Sequence, residues 1–336
     1  MIVERYFNKH TFADNAQGII DELTERLHFH IDRPLFRGTI YDASRLGSII
    51  YKGKWKGKDA ALKIQGLQLP RDEYELIDGF VEQNGSARIR TPHIFKHEPW
   101  DENKGYGFLL MEYVADPPVL TLPNPSQKEI EMFLYFFTEL KTRAVTRPWV
   151  GQTEHEKSSI RLMRHRVTQW VAIAKERGHF NAESLVPRIQ LFNNRLEQTQ
   201  PEIPMEFMHA HMAGREVHQH HESGQFIMFA NLYWGWRPKY YDCAFIVWAI
   251  IKNPASPLMN EHEVLECITR WKQIFQNLSW IKNDPTFSKH FDLMMLERLI
   301  GTLIIDLEAQ EYKNQADKQA LYSRLVPVFD TLASQG

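Results

Sequence analysis

In the run "DAALKIQG", Lys63 stands between the apolar Leu62 and Ile64, and Glu73 follows ten residues later at the start of "EYELIDGFVEQ". A lysine on a strand and a glutamate on a facing helix can form an ion pair that aims the ammonium at phosphate oxygens. The glutamate must then share the buried face of its helix. Leu76, Ile77 and Phe80 lie three, four and seven positions after Glu73, on that same face. Glu75, the rival acid, has Asp78 and Gly79 at the three- and four-residue offsets, a poorer buried face. The plain alternative is a lysine snorkelling from a strand edge and a solvated glutamate.

A second concentration of chemistry lies in "FMHAHMAGREVHQHHESGQFIMFANLYWGWRPKYYDCAFIVW", residues 207–248. It holds His209, His211, His218, His220 and His221, and no aspartate occurs from 207 to 241. His218 and His220 alternate, so on a strand they face one side. Imidazoles ligate transition metals, which allows a zinc or nickel site. The other reading is a solvated polar hairpin with His209 as a core brace, because no cysteine and no defined ligand spacing accompany the histidines. Trp234, Trp236, Arg237 and Tyr241 could wall a substrate or, with Lys239, stack bases. Gly235 and Pro238 impose a tight path there, which suits packing onto a helical body. Arg161, Arg164, His165 and Arg166 form either an anion-attracting run or a solvated helix face.

The elements that must position these residues change character along the chain. Residues 1–30 read as a leading helix, with Ile19, Ile20, Leu23 and Leu27 at helical spacing. "LFRGTIYD", "SIIYKGKW" and "DAALKIQG" read as strands, with a hairpin turn at "WKGK". "PRDEYELIDGFVEQNG" reads as a short helix, and "TPHIFKHEP" and "KGYGFLLMEYV" as two more strands. The connector "ADPPVLTLPNPS" follows, and helices dominate after it, at about 126–145, 154–177, 182–198, 242–252, 261–278, 287–311 and 316–333. A hairpin near 215–231 is the exception. The chain thus divides into an N-terminal helical extension (1–34), a small β-rich lobe (35–118) and a helical C-terminal lobe (119–336) that carries the segment 207–242. The expected class is α+β.

Composition limits the alternatives. The 336 residues are 43% hydrophobic and 24% charged, with a net charge of −2, so no global field favours nucleic acid or an anionic membrane. Cys243 and Cys267 both sit in apolar helical contexts and suit a reducing compartment. The charged start does not read as a signal peptide, and "CAFIVWAII" is too short to span a membrane. A cytoplasmic protein is expected.

In their order and spacing these motifs resemble the protein-kinase-like superfold, in its aminoglycoside phosphotransferase-like branch. The carriers are "AALKI", Glu73 on the next helix, "LLMEYV", the "HAHMAGREV" loop, the "FIMFAN" strand and "YYDCAF", over about residues 35–250. The resemblance implies a bilobal fold, with a small antiparallel β lobe and a larger, mainly helical lobe. It implies an ATP site in which Met111 lines the back of the adenine pocket and the backbone of Glu112 and Val114 bonds the base. Lys63 and Glu73 would serve the phosphates. Ser44 and Gly47 would lie in the loop covering them, which lacks a protein kinase's three-glycine pattern.

The family's catalytic loop resembles His-Gly-Asp-Leu-x-x-x-Asn, and its metal strand ends in an aspartate. Laid on this chain, the leading histidine is His209, the glycine is Ala210, the base position is His211 and the asparagine is Glu216. Asn231 takes the metal-aspartate position, and Asp242 matches the structural aspartate that opens the next helix. Magnesium prefers hard anionic oxygens, so a Glu216–Asn231 pair predicts weakened magnesium binding. His211 can still accept a proton, with a reference pKa near ~6.5. The resemblance therefore implies a pseudokinase that binds nucleotide or a protein partner. The alternative is an atypical ATP-dependent phosphotransferase acting on a small hydroxyl-bearing molecule through His211, Glu216 and Asn231. A second alternative is a structural interaction module that binds no nucleotide.

Overall fold

Helix α1 (Lys9–Leu27) ends where His28 takes a left-handed conformation at φ 52°, and strand β1 (Phe29–Thr39) begins at once. In this computed structural model the described residues are 9–39, 46–66, 71–122, 124–253, 260–308 and 315–335. The sequence pattern places the first strand at 35 and assigns 29–34 to a helical extension; the strand starts six residues earlier. β1 is an edge strand, which tolerates Pro34, and its register shifts at three places, so the alternation that marks a strand is blurred. Ile20, Leu23 and Leu27 of α1 join Phe29 in the core of the small lobe.

β2 (Leu46–Trp55) and β3 (Lys58–Gln65) form the expected hairpin. Its two central residues, Lys56 (φ 47°) and Gly57 (φ 78°), are both left-handed, as a two-residue turn matching strand twist requires. Helix α2 (Glu73–Gln83), the two-residue strand β4 (Ile89–Arg90), β5 (Ile94–Asp101) and β6 (Tyr106–Glu112) follow. The five-stranded sheet has the order β1-β2-β3-β6-β5, and every neighbouring pair is antiparallel. Its inner face packs Ile49, Leu62, Ile64, Phe108 and Leu110. α2 turns Leu76 and Phe80 the other way, into the core of the helical lobe.

That lobe contains α3 (Gln127–Glu139), α4 (Ser159–Glu176), α5 (Ala182–Gln198), α6 (Tyr241–Ile251), α7 (Glu261–Gln276), α8 (Phe287–Ile304) and α9 (Gln315–Ser334). A Ser126–Glu129 capping box fixes the start of α3. Every residue of α8 from Leu293 to Ile304 is buried, and so is every residue of α6 except Ala249. Neighbours enclose these two helices, and the buried charges Glu297 and Arg298 of α8 are met by Arg166 and Asp306. α8 stops at Ile304 rather than running to 311, since Asp306 accepts from Arg298 (3.0 Å) and Thr302 (3.2 Å) and turns the chain. Among the described residues no helix is long and apolar enough to cross a membrane.

The exception to the helices is the segment between α5 and α6. β7 (Met205–His209) pairs antiparallel with β10 (Trp234–Pro238), and between them β8 (Val217–Gln219) and β9 (Phe226–Met228) form a hairpin. β4 runs parallel to β9, so a strand that precedes β5 buttresses this hairpin. The result is a bilobal α+β architecture.

Candidate functional site

Lys63 lies mid-strand in β3, between Ile50 of β2 and Leu109 of β6. Its Nζ is 2.5 Å from Glu73 Oε2, and both residues are buried. Glu75 is exposed, so the helical face chosen from the sequence is the buried one. α2 itself is fastened to the segment between α5 and α6. Phe80 stacks on Trp234 at 5.3 Å, Trp234 stacks on Phe207 at 5.8 Å, and Trp149 meets Trp234 edge-on at 4.8 Å. Trp236 donates to Val150 O at 2.7 Å. These aromatics pack the segment onto the helical lobe, as Gly235 and Pro238 suggest.

At the connector between the lobes, Met111 is buried at the end of β6. Glu112 is fixed twice. Its carboxylate takes both Nη atoms of Arg90 (2.5 and 2.8 Å), and its amide donates to His93 O at 2.8 Å. Val114 is partly buried. Ser44 lies outside the described residues.

In the segment between α5 and α6, His209 ends β7 and is 2% exposed. Its Nε2 donates to Phe229 O at 2.9 Å. Burial pushes its pKa down to about 4, against the opposing pull of that bond, so the ring is neutral near pH 7. His211 stacks on Tyr233 at 4.1 Å and tilts against Phe245 at 4.7 Å. Burial and the neighbouring His209 hold its pKa well below the usual value. Glu216 is only partly covered, and its Oε1 is 3.3 Å from Arg215 Nε. Burial raises its carboxyl pKa, and the charges of Arg215, His218 and Lys63 offset part of that rise.

Asn231 is different. It is 2% exposed, and both ends of its amide are engaged: Nδ2 donates to Met228 O (3.0 Å) and Oδ1 accepts from Trp234 Nε1 (3.2 Å). The residue opposite Glu216 is instead Phe229. Val217 pairs with Met228, and Phe229 N–H donates to Glu216 O at 2.8 Å. The strand β9 stops at Met228, and Ala230 turns the chain at φ 57° before Asn231 is reached. Asn231, at the position matched to the metal aspartate, thus lies two residues beyond the cross-strand neighbour of Glu216, with its amide already engaged.

This donor set does not fit magnesium. Magnesium needs several hard oxygens in octahedral array, and the hairpin offers the Glu216 carboxylate beside an aromatic ring. Lys63, by contrast, is held by Glu73 without any metal.

Two further features complete the surroundings. Asp242 opens α6, accepts from Cys243 N–H at 3.0 Å and holds Lys141 Nζ at 3.0 Å. Burial draws the Lys141 ammonium down, but Asp242 and Glu206 outweigh it and keep the group charged. A cavity of about 390 Å³ beneath the loop is lined by Lys141, Glu206, His209, Trp234, Trp236 and Asp242. Of the basic run on α4, Arg164 faces Glu197 at the surface, whereas Arg166 turns inward, 3.1 Å from both Glu297 and the Tyr241 hydroxyl.

No protein-family model matches the sequence, and no curated protein matches it. Solved structures do. A thermostable mutant of aminoglycoside phosphotransferase APH(4)-Ia, in ternary complex with ADP and hygromycin B, superposes with a TM-score of 0.61 at 12% identity, covering 94% of this chain and 98% of that one. The amicoumacin kinase hAmiN, in complex with AMP-PNP and Ca2+, gives 0.57 at 15% identity, covering 94% and 93%. Spectinomycin phosphotransferase APH(9)-Ia, in complex with ADP and spectinomycin, gives 0.53 at 13%, covering 94% and 98%. The chain has the protein-kinase-like fold in the form that aminoglycoside phosphotransferases take.

Proposed function

We propose that this protein is a pseudokinase of the aminoglycoside phosphotransferase-like fold, which binds a nucleotide and performs little or no magnesium-dependent phosphoryl transfer. The observation that carries this reading is the hairpin register. Phe229 stands opposite Glu216 and Asn231 is hydrogen-bonded inward, so one carboxylate remains where charge on the terminal phosphates must be balanced. His211, neutral and laid against Tyr233 and Phe245, fills the base position with a ring instead of a carboxylate. Lys63, the Val114 backbone and Met111 do not depend on those losses. They supply an ammonium for phosphate and a backbone edge with an apolar wall for a base. The complexes of the similar structures with ADP and AMP-PNP support a nucleotide as ligand. Output would then pass to a protein partner through lobe conformation.

The test is calorimetric titration with ATP, with and without magnesium, followed by a turnover assay on aminoglycosides, sugars and amino alcohols. Expected is ATP binding that magnesium does not strengthen, and no product. Turnover above about 1 per second, within the ordinary enzyme range, refutes the reading. Its loss in Glu216→Gln and His211→Ala would then establish the atypical transferase. Absence of ATP binding in the folded protein supports the interaction module instead.

A further inference from the structure

Asp116, in the connector after β6, meets His220 and His221 at the tip of the β8–β9 hairpin. One ligand-capable atom from each lies within 4.8 Å of the others. Backbone contacts set this geometry. Val119 N–H donates to Val217 O at 2.7 Å, Pro118 bridges to His218, and His218 Nδ1 lies 2.6 Å from Asp116 O. The tip closes through His220 N–H to Gln225 O and Gly224 N–H to His220 O, each 2.8 Å, with Gly224 at φ 68°.

The ring nitrogens are oriented as well. His221 Nδ1 is 2.9 Å from Asp116 Oδ1, and His220 Nδ1 is 3.1 Å from Ser223 Oγ. A metal on His221 Nδ1 would replace the proton that this nitrogen shares with Asp116 Oδ1, so that both atoms become ligands, while a proton on His220 Nδ1 serves Ser223 Oγ and leaves His220 Nε2 free for the same ion. The Ser223 amide, 3.3 Å from His220 Nδ1, competes for the other tautomer, and a metal on Nε2 would displace it. Neighbouring donors in a tetrahedral zinc site lie about 3.3 Å apart, since each bond is ~2.0–2.1 Å. Small ring rotations close the gap from 4.8 Å. Glu112 stays outside the set because Arg90 holds it.

We propose that Asp116, His220 and His221 bind one divalent transition metal of the zinc class, which clamps the hairpin tip to the connector between the lobes. Two imidazoles and a carboxylate suit zinc, cobalt or nickel and not magnesium or calcium. The site is independent of the nucleotide reading and stands whether or not ATP binds.

The experiment uses the full chain without an affinity tag, titrated with zinc by calorimetry and with cobalt(II) by visible absorption. Expected is one equivalent bound, d–d bands of a nitrogen–oxygen site, and a rise in thermal midpoint with zinc. His220→Ala and His221→Gln should each weaken binding at least about tenfold, and the double variant should lose the bands and the thermal shift. His221 is exposed, so His221→Gln reads the site without threatening the fold, which circular dichroism checks. His262→Ala, at an exposed His262–Glu266 pair on α7, should change nothing. Binding weaker than about 100 μM, or full binding by the double variant, overturns the proposal.

Discussion

Replacing Lys63 by methionine tests both the physics and the use of the buried ion pair. Lys63 is 8% exposed and Glu73 5%, so neither charge has water to fall back on. At an effective dielectric near 20, unit charges about 4 Å apart attract by about 4 kcal/mol. Removing one partner forfeits that attraction and strands the other charge, at a typical cost of about 3–5 kcal/mol. Replacing both with apolar groups of similar volume is often close to neutral. Lys63→Met and Glu73→Leu should therefore each destabilise strongly, and the double variant should recover most of the loss. Urea denaturation of all four proteins gives the coupling, expected to be at least about 3 kcal/mol. Additive losses would refute a coupled pair. The same four proteins address function. ATP affinity should fall with Lys63→Met even after the fold is rescued in the double variant, and unchanged affinity there would refute the phosphate role of Lys63.

Phe229→Asp should introduce magnesium dependence into ATP binding at a partly exposed position, whereas Asn231→Asp should only destabilise, by burying a charge against the Met228 carbonyl; equal effects in calorimetry and melting would contradict the register. Trp234→Ala removes the ring that joins Phe80 of α2 to Phe207 and should cost about 3–5 kcal/mol in a urea melt, with less than about 1 kcal/mol refuting the stack as a support. His209 has a folded pKa of about 4, against ~6.5 when unfolded. The unfolded chain thus binds the extra proton, and the His209 contribution, intact above pH 6.5, is lost at about 1.4 kcal/mol per unit as pH falls toward 4. Because His211 titrates in the same sense, the readout is the difference between wild type and His209→Gln, whose urea midpoint should fall less steeply with acid; parallel curves would refute the assignment.

What the sequence made legible follows from locality. The turn "WKGK" is set by two adjacent left-handed residues, and the buried face of α2 by offsets of three, four and seven, so Lys63 and Glu73 could be paired before any fold was known. The bounds of α5, α7 and α9 likewise follow from periodic apolar faces. β1 was harder because one edge faces solvent, and charged residues and Pro34 break its alternation. The cross-strand neighbour of Glu216 was hidden for another reason. "FIMFAN" is apolar through Ala230, so its composition does not mark where β9 stops, and the left-handed Ala230 that ends the extended run has no glycine to announce it. Which side chain stands beside Glu216 is decided by the hairpin register, and it is the Phe229 ring. Asp116 was out of reach altogether. Its link to His218 and His221 exists only because the connector and the hairpin tip pair through Pro118 and Val119, a contact between segments about one hundred residues apart. Chemistry that depends on one element's own period can be read from sequence; chemistry that depends on the register between two elements has to be read from their hydrogen bonds.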